Sequence, residues 1–293
     1  MASRTRSLDF GRPGDAVDRL IALALDEDVG PGDRTAEACI DAAARGVALI
    51  VAKEPLVVSG ISAAARVFRA LDPDVELEPL VAEADEIDPG AAVLRAKGRL
   101  RSLLTAERTA LNFLQRLSGI ATQARRYVRA LEGTKTRLLD TRKTTPGLRA
   151  LEKAAVRAGG STNHRGALFD GIMVKDNHAA AAGSIGEAVR RARAAASPLM
   201  LVECEVTTPA QIEEALAAGA QMLLLDNLGD AELAAAVKQV AGRVPTEASG
   251  GVTIERLPRI AATGVDYVSV GALTHSAIAV DLSLLIERVE GSK

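Results

Sequence analysis

The chain has 293 residues, 48% of them hydrophobic and 25% charged, the profile of a folded globular protein with room for one large domain or two ordinary ones. A formal charge of −2, only 2% aromatic residues and no Trp argue against a nucleic-acid partner held by bulk electrostatics or base stacking. Two cysteines cannot build a disulfide framework, no stretch approaches the ~20 apolar residues of a spanning helix, and Met1–Arg6 has no apolar signal core, so neither a membrane nor export is expected and the cytoplasm is the default location.

In chain order, 16–26 has the pattern of an amphipathic helix and 47–53 and 55–59 read as strands. Residues 61–71 read as a helix, then 75–83 and 91–97 as strands. A long helical pattern covers 107–131, with Leu111, Leu114, Leu117 and Ile120 at helical spacing. From there the pattern turns regular. Strand candidates at 136–140, 172–175, 199–206, 221–226, 244–248 and 265–270 alternate with helical stretches. Thr145-Pro146 is expected to open the first of these helices and Gly159 to follow its end; Ser184–Glu187 forms a capping box, and Thr208-Pro209 starts another helix that stops at Gly219. A helix is also expected over 253–263, and the tail 279–288 reads as a helix returning to the first domain.

Six βα units with continuous apolar strands such as Met222–Leu225 suit a parallel sheet covered by helices. The fold class is therefore α/β: an incomplete, TIM-like α/β barrel over residues 113–276, preceded by a smaller α+β sandwich domain over 1–112 on which the tail 277–293 packs. A doubly wound open sheet competes; it would gather binding residues at one switch point, whereas a barrel presents every strand end on one face.

The strand ends carry chemistry. They fall near Asp140, Lys175, Glu205, Asp226, Ser249 and Gly271. Residues 140–178 hold two of the three histidines, His164 and His178, and seven Lys/Arg against four acids. Cations concentrated beside small residues are suited to a multiply charged anion. Glu205 and Asp226 can stabilise developing positive charge or hold a hard cation. Glu203, two residues before Glu205, lies on the same side but deeper, as a structural partner or a sharer of that role. Arg149, Lys153 and Arg157 are assigned to a solvated helix face. Cys204 sits in an apolar run and reads as a small core residue.

Long, ordered motifs then resemble those of the quinolinate phosphoribosyltransferases, also called nicotinate-nucleotide pyrophosphorylases (carboxylating). They are Ala24–Asp33, Glu107–Thr122, Asp140-Thr-Arg-Lys-Thr-Thr-Pro-Gly-Leu-Arg149, Asn163-His-Arg165, Lys175-Asp-Asn-His178, Leu224-Leu-Asp-Asn227, Ser249-Gly-Gly251 and Ser269–Ser276. The resemblance covers nearly the whole chain. Departures are Ser161 in Gly159-Gly-Ser-Thr162, where a third glycine is usual, Ala167 in place of a glycine, and Ile278 where Lys is often expected. The resemblance implies a reaction of quinolinate with phosphoribosyl pyrophosphate that gives nicotinate mononucleotide, pyrophosphate and carbon dioxide, with magnesium. It also implies a homodimer in which Arg108 is lent across the interface.

A dicarboxylate and a phosphorylated sugar together need a basic cage. Arg108, Thr141, Arg142, Lys143, His164, Arg165 and Lys175 are the candidates. Arg142, Arg165 and His164 are assigned to the quinolinate carboxylates, because Arg offers a planar fork; Lys143 and Lys175 face the pyrophosphate and the reacting centre. Glu205 and Asp226 stand near the sugar ring and are the candidate magnesium carboxylates, acting through substrate and water. Ser249, Gly250, Gly251 and Gly271, with His275, are expected to hold the 5-phosphate by backbone N–H groups. Three rivals compete: an aldolase-type lyase with Lys175 as a Schiff-base lysine, a non-catalytic anion-binding paralogue, and a nicotinate phosphoribosyltransferase using the monocarboxylate.

Overall fold

The computed structural model describes residues 15–290; the ends of the expected first domain (1–14) and of its tail (291–293) lie outside the described residues. Its elements run α1 (Ala16–Asp28), α2 (Arg34–Cys39), β1 (Arg45–Ala52), β2 (Leu56–Val57), α3 (Ile61–Leu71), β3 (Glu76–Pro79), β4 (Glu86–Ile87), β5 (Ala92–Arg99) and α4 (Leu100–Arg129). They continue β6 (Arg137–Leu139), α5 (Arg149–Ala158), β7 (Ile172–Val174), α6 (Asp176–Ala182), α7 (Ile185–Ala195), β8 (Val202–Val206), α8 (Pro209–Ala217) and β9 (Met222–Asp226). Last come α9 (Asp230–Val240), β10 (Thr246–Ser249), α10 (Leu257–Ala262), β11 (Tyr267–Ser269), α11 (Ala272–His275) and β12 (Leu282–Glu290). Two compact units result: residues up to Gln123 with Ala150–Gly159 and the stretch from Ala277, and Ala124–Arg149 with Gly160–Ser276. α5 thus belongs with the first unit, although it follows a strand of the second.

The first unit is built on an antiparallel sheet in the order β12-β1-β5-β3, with a separate β2-β4 pair. Its core packs Phe68 of α3, Ile50 of β1 and Leu94 of β5, with Leu103, Leu111, Leu114 and Leu117 of α4, all fully buried. Burial of such side chains is worth about 1.5–3 kcal/mol each. The chain tail corrects one expectation. Residues 282–290 form a strand, not a helix, pairing antiparallel with β1 from Arg45 opposite Glu290 to Ala52 opposite Leu282. Leu, Glu and Arg give this segment helical propensity, but ladder pairing on β1 outweighs a preference of tenths of a kcal/mol per residue.

Gly119 lets the tail approach α4: a Cβ there would run into the Ile278 carbonyl oxygen. Gln115 accepts from Val280 N–H at 3.2 Å and donates to the Leu282 carbonyl at 2.9 Å. In an open helix, Gly→Ala gains about 1 kcal/mol. A collision with backbone costs more, so Gly119→Ala is expected to lower stability by about 2 kcal/mol, read from thermal or denaturant melts; an unchanged or raised midpoint would count against this close approach.

The second unit is a parallel sheet in the order β6-β11-β10-β9-β8-β7. From β7 to β11 every strand lies beside its predecessor, always in the same direction. Right-handed crossovers then put all connecting helices on one face, which excludes the doubly wound alternative. The other face is covered only if the sheet curls on itself. It does: β6 pairs with β11, and Leu139 at the end of β6 bridges Thr162, in the segment leading to β7. The outcome is a six-stranded, incomplete barrel. Period-2 alternation sorts its residues. Val202, Cys204, Val206, Leu223, Leu225, Ala248 and Val268 are buried under the helices, while Glu203, Glu205, Leu224, Asp226, Glu247, Ser249 and Ser269 line interior cavities. Burial pushes the Cys204 thiol up to about 12, which leaves no reactive thiolate.

Two local starts differ from the sequence reading. Pro146-Gly147-Leu148 forms a turn, Gly147 at φ +83°, so the helix begins at Arg149. α10 begins at Leu257 after a turn. Further, Glu152 and Lys153 of α5 are buried, so Lys153 is not on a solvated face. Glu152 accepts from Arg116 of α4 at 3.0 Å.

Candidate active site

The C-terminal ends of the strands surround a cavity of about 620 Å³. Parallel register explains the placement. Glu205 of β8 lies opposite Leu224 of β9, Leu224 opposite Glu247 of β10, and Asp226 opposite Ser249. Thr141, Arg142 and Lys143 follow β6, and Lys175 follows β7. Together with His164, Arg165, Gly250 and Gly251 these residues line the one cavity. Gly271 and His275 are outside the lining but adjoin Lys143: a Cβ on Gly271 would meet Lys143 Cδ at 2.8 Å and His275 Nε2 at 3.1 Å. Thr274 Oγ1 donates to the Lys143 carbonyl at 2.8 Å, fixing that loop. Arg108 lies exposed on α4, in the other unit, and is not part of this lining.

At the rim, Lys175 donates to Glu205 in a close ion pair. Asp226 Oδ2 accepts from Asn227 Nδ2 at 2.8 Å. Asn227 adopts φ +55°, and Gly250 and Gly251 follow at +90° and +58°. A side chain on Gly250 would run into Asn227. The two glycines leave this loop without side chains, so a ligand can approach its backbone N–H groups closely.

The floor is ionic where other barrels are aliphatic. Only six strands close this barrel, and the 161–165 segment enters beside β6. Asp140, fully buried, accepts from Asn163 Nδ2 at 2.6 Å and from His164 N at 2.7 Å, which turns His164 inward. His164 Nε2 lies 3.1 Å from Glu203 Oε2 and 3.4 Å from Glu247 Oε2. Its Nδ1 accepts the Arg165 N–H at 2.7 Å. Burial disfavours a charged ring here, yet the Glu203 hydrogen bond and the two carboxylates beside the ring take His164 up to about 10. An imidazolium needs a proton on Nδ1, whereas Nδ1 accepts the Arg165 N–H, so the hydrogen bonds place the ring proton on Nε2. Burial pushes the Glu203 carboxyl above the usual range.

Five buried side-chain polar atoms of the described residues have no hydrogen-bond partner, and four of them are here: Arg142 Nε, Glu203 Oε1 and both oxygens of Glu247. Buried orphans of this kind are rare and expensive, about 1–3 kcal/mol each, and mark places where a ligand, ion or water completes the network. Arg165 bridges levels: it lines both this cavity and a second of about 390 Å³ among the strand starts, with Nη1 donating to the Gly171 carbonyl at 3.0 Å. Burial, then the neighbouring Arg142 charge, lower the Arg165 pKa. Two cations pressed together in this way favour an anion between them.

Sequence reading assigned no role to Glu247 or Asp140. The available signal was periodicity: Glu247 precedes Ser249 by two, so it had to share its face.

A parallel barrel whose strand ends set Arg and Lys against two acidic groups defines an enzyme-type site for polyanionic substrates. Models of the quinolinate phosphoribosyl transferase N-terminal and C-terminal domains match residues 33–118 and 120–285. A probable nicotinate-nucleotide pyrophosphorylase [carboxylating] of Bacillus subtilis is 45% identical over 258 residues, covering 88% of this chain and 89% of that protein. Quinolinate phosphoribosyltransferase [decarboxylating] 1b of Nicotiana tabacum is 40% identical, covering 92% and 81%. The crystal structure of NadC from Streptococcus pyogenes superposes with a TM-score of 0.88 at 43% identity, covering 92% and 95%. This chain belongs to the quinolinate phosphoribosyl transferase family.

Proposed function

We propose that the protein transfers phosphoribose from phosphoribosyl pyrophosphate to the ring nitrogen of quinolinate and releases pyrophosphate and carbon dioxide, forming nicotinate mononucleotide for NAD biosynthesis. The observation that carries this reading is the single cavity holding Arg142, Lys143, Arg165 and Lys175 beside Glu205 and Asp226. Arg142 and Arg165 are the carboxylate forks for the diacid. Lys143 and Lys175 neutralise the departing pyrophosphate, Lys175 exchanging its bond to Glu205 for one to phosphate oxygen. Glu205 and Asp226 stabilise the positive charge that develops on the ribose as its bond to pyrophosphate breaks. The glycine loop at Ser249–Gly251 suits the 5-phosphate, whose oxygens accept from backbone N–H groups. After transfer the ring nitrogen is cationic and accepts the electron pair left by carbon dioxide, so no covalent enzyme intermediate is required.

Magnesium fits this donor set. Asp226 and Glu205 are hard oxygen donors at adjacent strand ends, and an ion shared with pyrophosphate oxygens and water needs few protein ligands. Bound there, it would supply charge neutralisation for the leaving group. The lyase reading is weaker, because Lys175 is ion-paired with Glu205 instead of sitting free in an apolar pocket. The reading extends to a homodimer in which Arg108 completes the partner's site, and to the cytoplasm as location; no helix among the described residues is long and apolar enough to cross a membrane.

Quinolinate labelled in its 2-carboxylate tests the assignment. Label release is expected in step with pyrophosphate formation, to be lost on chelation and restored by magnesium, with nicotinate a poor substitute. No release with the phosphoribosyl donor and magnesium present overturns it.

A further inference from the structure

We propose that Glu203 is a positioning residue that locks the His164 ring in its Nε2–H form, so that Nδ1 can hold the backbone of Arg165 and set that guanidinium for the diacid. The inference rests on the proposed function and deepens it. Both nitrogens of His164, a residue of the cavity lining, are within hydrogen-bond distance of protein groups.

The geometry runs in one direction. Glu203 Oε2, 3.1 Å from Nε2, is the acceptor for the ring proton; Glu247 Oε2, at 3.4 Å, makes no hydrogen bond to it. Glu203 is 2% exposed, so the bond is buried. A proton kept on Nε2 leaves a lone pair on Nδ1. That lone pair accepts Arg165 N–H at 2.7 Å. Asp140 fixes the preceding N–H, that of His164, at 2.7 Å. Two successive backbone groups are thus tied to buried side chains just where Arg165 leaves the chain.

A metal ion is the competing occupant. Donor atoms of His164, Glu203 and Glu247 lie within 4.8 Å of one another, a spacing compatible with coordination. But a histidine ligating a metal through one nitrogen donates a proton from the other. Here Nδ1 accepts, so ligation at Nε2 would require an imidazolate. The arrangement is that of a proton held between acceptors.

The test pairs Glu203→Leu with Glu203→Gln. The amide oxygen of Gln still accepts from Nε2–H; Leu does not. Leu is expected to raise the KM for quinolinate roughly tenfold, the loss of about one hydrogen bond to a charged group, with the KM for phosphoribosyl pyrophosphate unchanged. Gln should stay within about threefold of the native protein, less than a single neutral hydrogen bond is worth. Leu leaves the buried Nε2–H without that acceptor and should also melt lower than Gln, by the equivalent of about one lost hydrogen bond; the selective rise in the KM for quinolinate, not the melt, is the readout of positioning. With three histidines in the chain, long-range proton–nitrogen NMR of the unliganded protein reads the tautomer directly, whatever the substrate proves to be. It should show His164 protonated on Nε2 alone, with Leu but not Gln mixing the forms. A His164 protonated on Nδ1 in the native protein, or equal KM values in the Leu and Gln variants, would overturn the proposal. If quinolinate is not turned over at all, the NMR arm still decides the tautomer.

Discussion

Arg142→Ala is expected to lower kcat/KM for quinolinate by about a hundredfold, mostly through KM, while the KM for phosphoribosyl pyrophosphate moves little. The magnitude follows from the bond lost. An Arg fork on a carboxylate in a water-poor site is worth about 2–3 kcal/mol, and each 1.4 kcal/mol is tenfold. The structure supplies the reason to choose Arg142. Its Nε is buried without a partner, so a bound carboxylate would supply the hydrogen bond that atom lacks. Arg142→Lys should recover little, because an ammonium cannot reproduce the fork. Steady-state kinetics with each substrate varied in turn make the check. Equal rises in both KM values would assign Arg142 to the sugar donor instead.

The second large effect concerns assembly. Arg108→Ala and Lys143→Ala are each expected to cut turnover at least a hundredfold, since each removes a cation from a site that must neutralise several negative charges. Mixed and allowed to exchange subunits, the two inactive proteins should regain about a quarter of native activity. Half of the dimers are then hybrids, and each hybrid has one site with both cations intact. Arg108 is exposed on α4 and is not among the residues lining the cavity, which motivates the experiment. Activity measured against mixing time is the readout. A mixture that stays inactive although subunit exchange is demonstrated would place Arg108 in its own chain's site.

Much of this architecture was legible in the residues. Strand ends could be read because a buried parallel strand is continuously apolar and then stops at a polar residue: Leu224-Leu225 before Asp226, and Cys204 before Glu205. Periodicity did not reveal what fills the interior. Glu203 and Glu247 look like any strand carboxylate until closure with only six strands leaves a gap for His164. Asp140, at the end of the first barrel strand, offers no sign in the sequence that its oxygens are spent on Asn163 and His164. On α5, a charged face read as solvated because helical spacing shows which residues share a side without showing what covers it; Glu152 and Lys153 are buried. The tail was misread for a related cause. Strand pairing is a property of two distant segments, and nothing local to 282–290 announces β1 as its neighbour. No structural consequence of the Ser161, Ala167 or Ile278 departures touches the cavity lining: Ser161 donates to the Leu138 carbonyl at 2.9 Å within the barrel wall, and Ile278 is 83% exposed.

The most direct test of the rim as the reaction site is a crystal structure with quinolinate bound. The account predicts its two carboxylates on Arg142 and Arg165 at the C-terminal strand ends, with the ring nitrogen facing Lys175, Glu205 and Asp226. Quinolinate seated among the strand starts by Arg137 and Tyr267, or in the first unit, with the rim left to solvent, would contradict it.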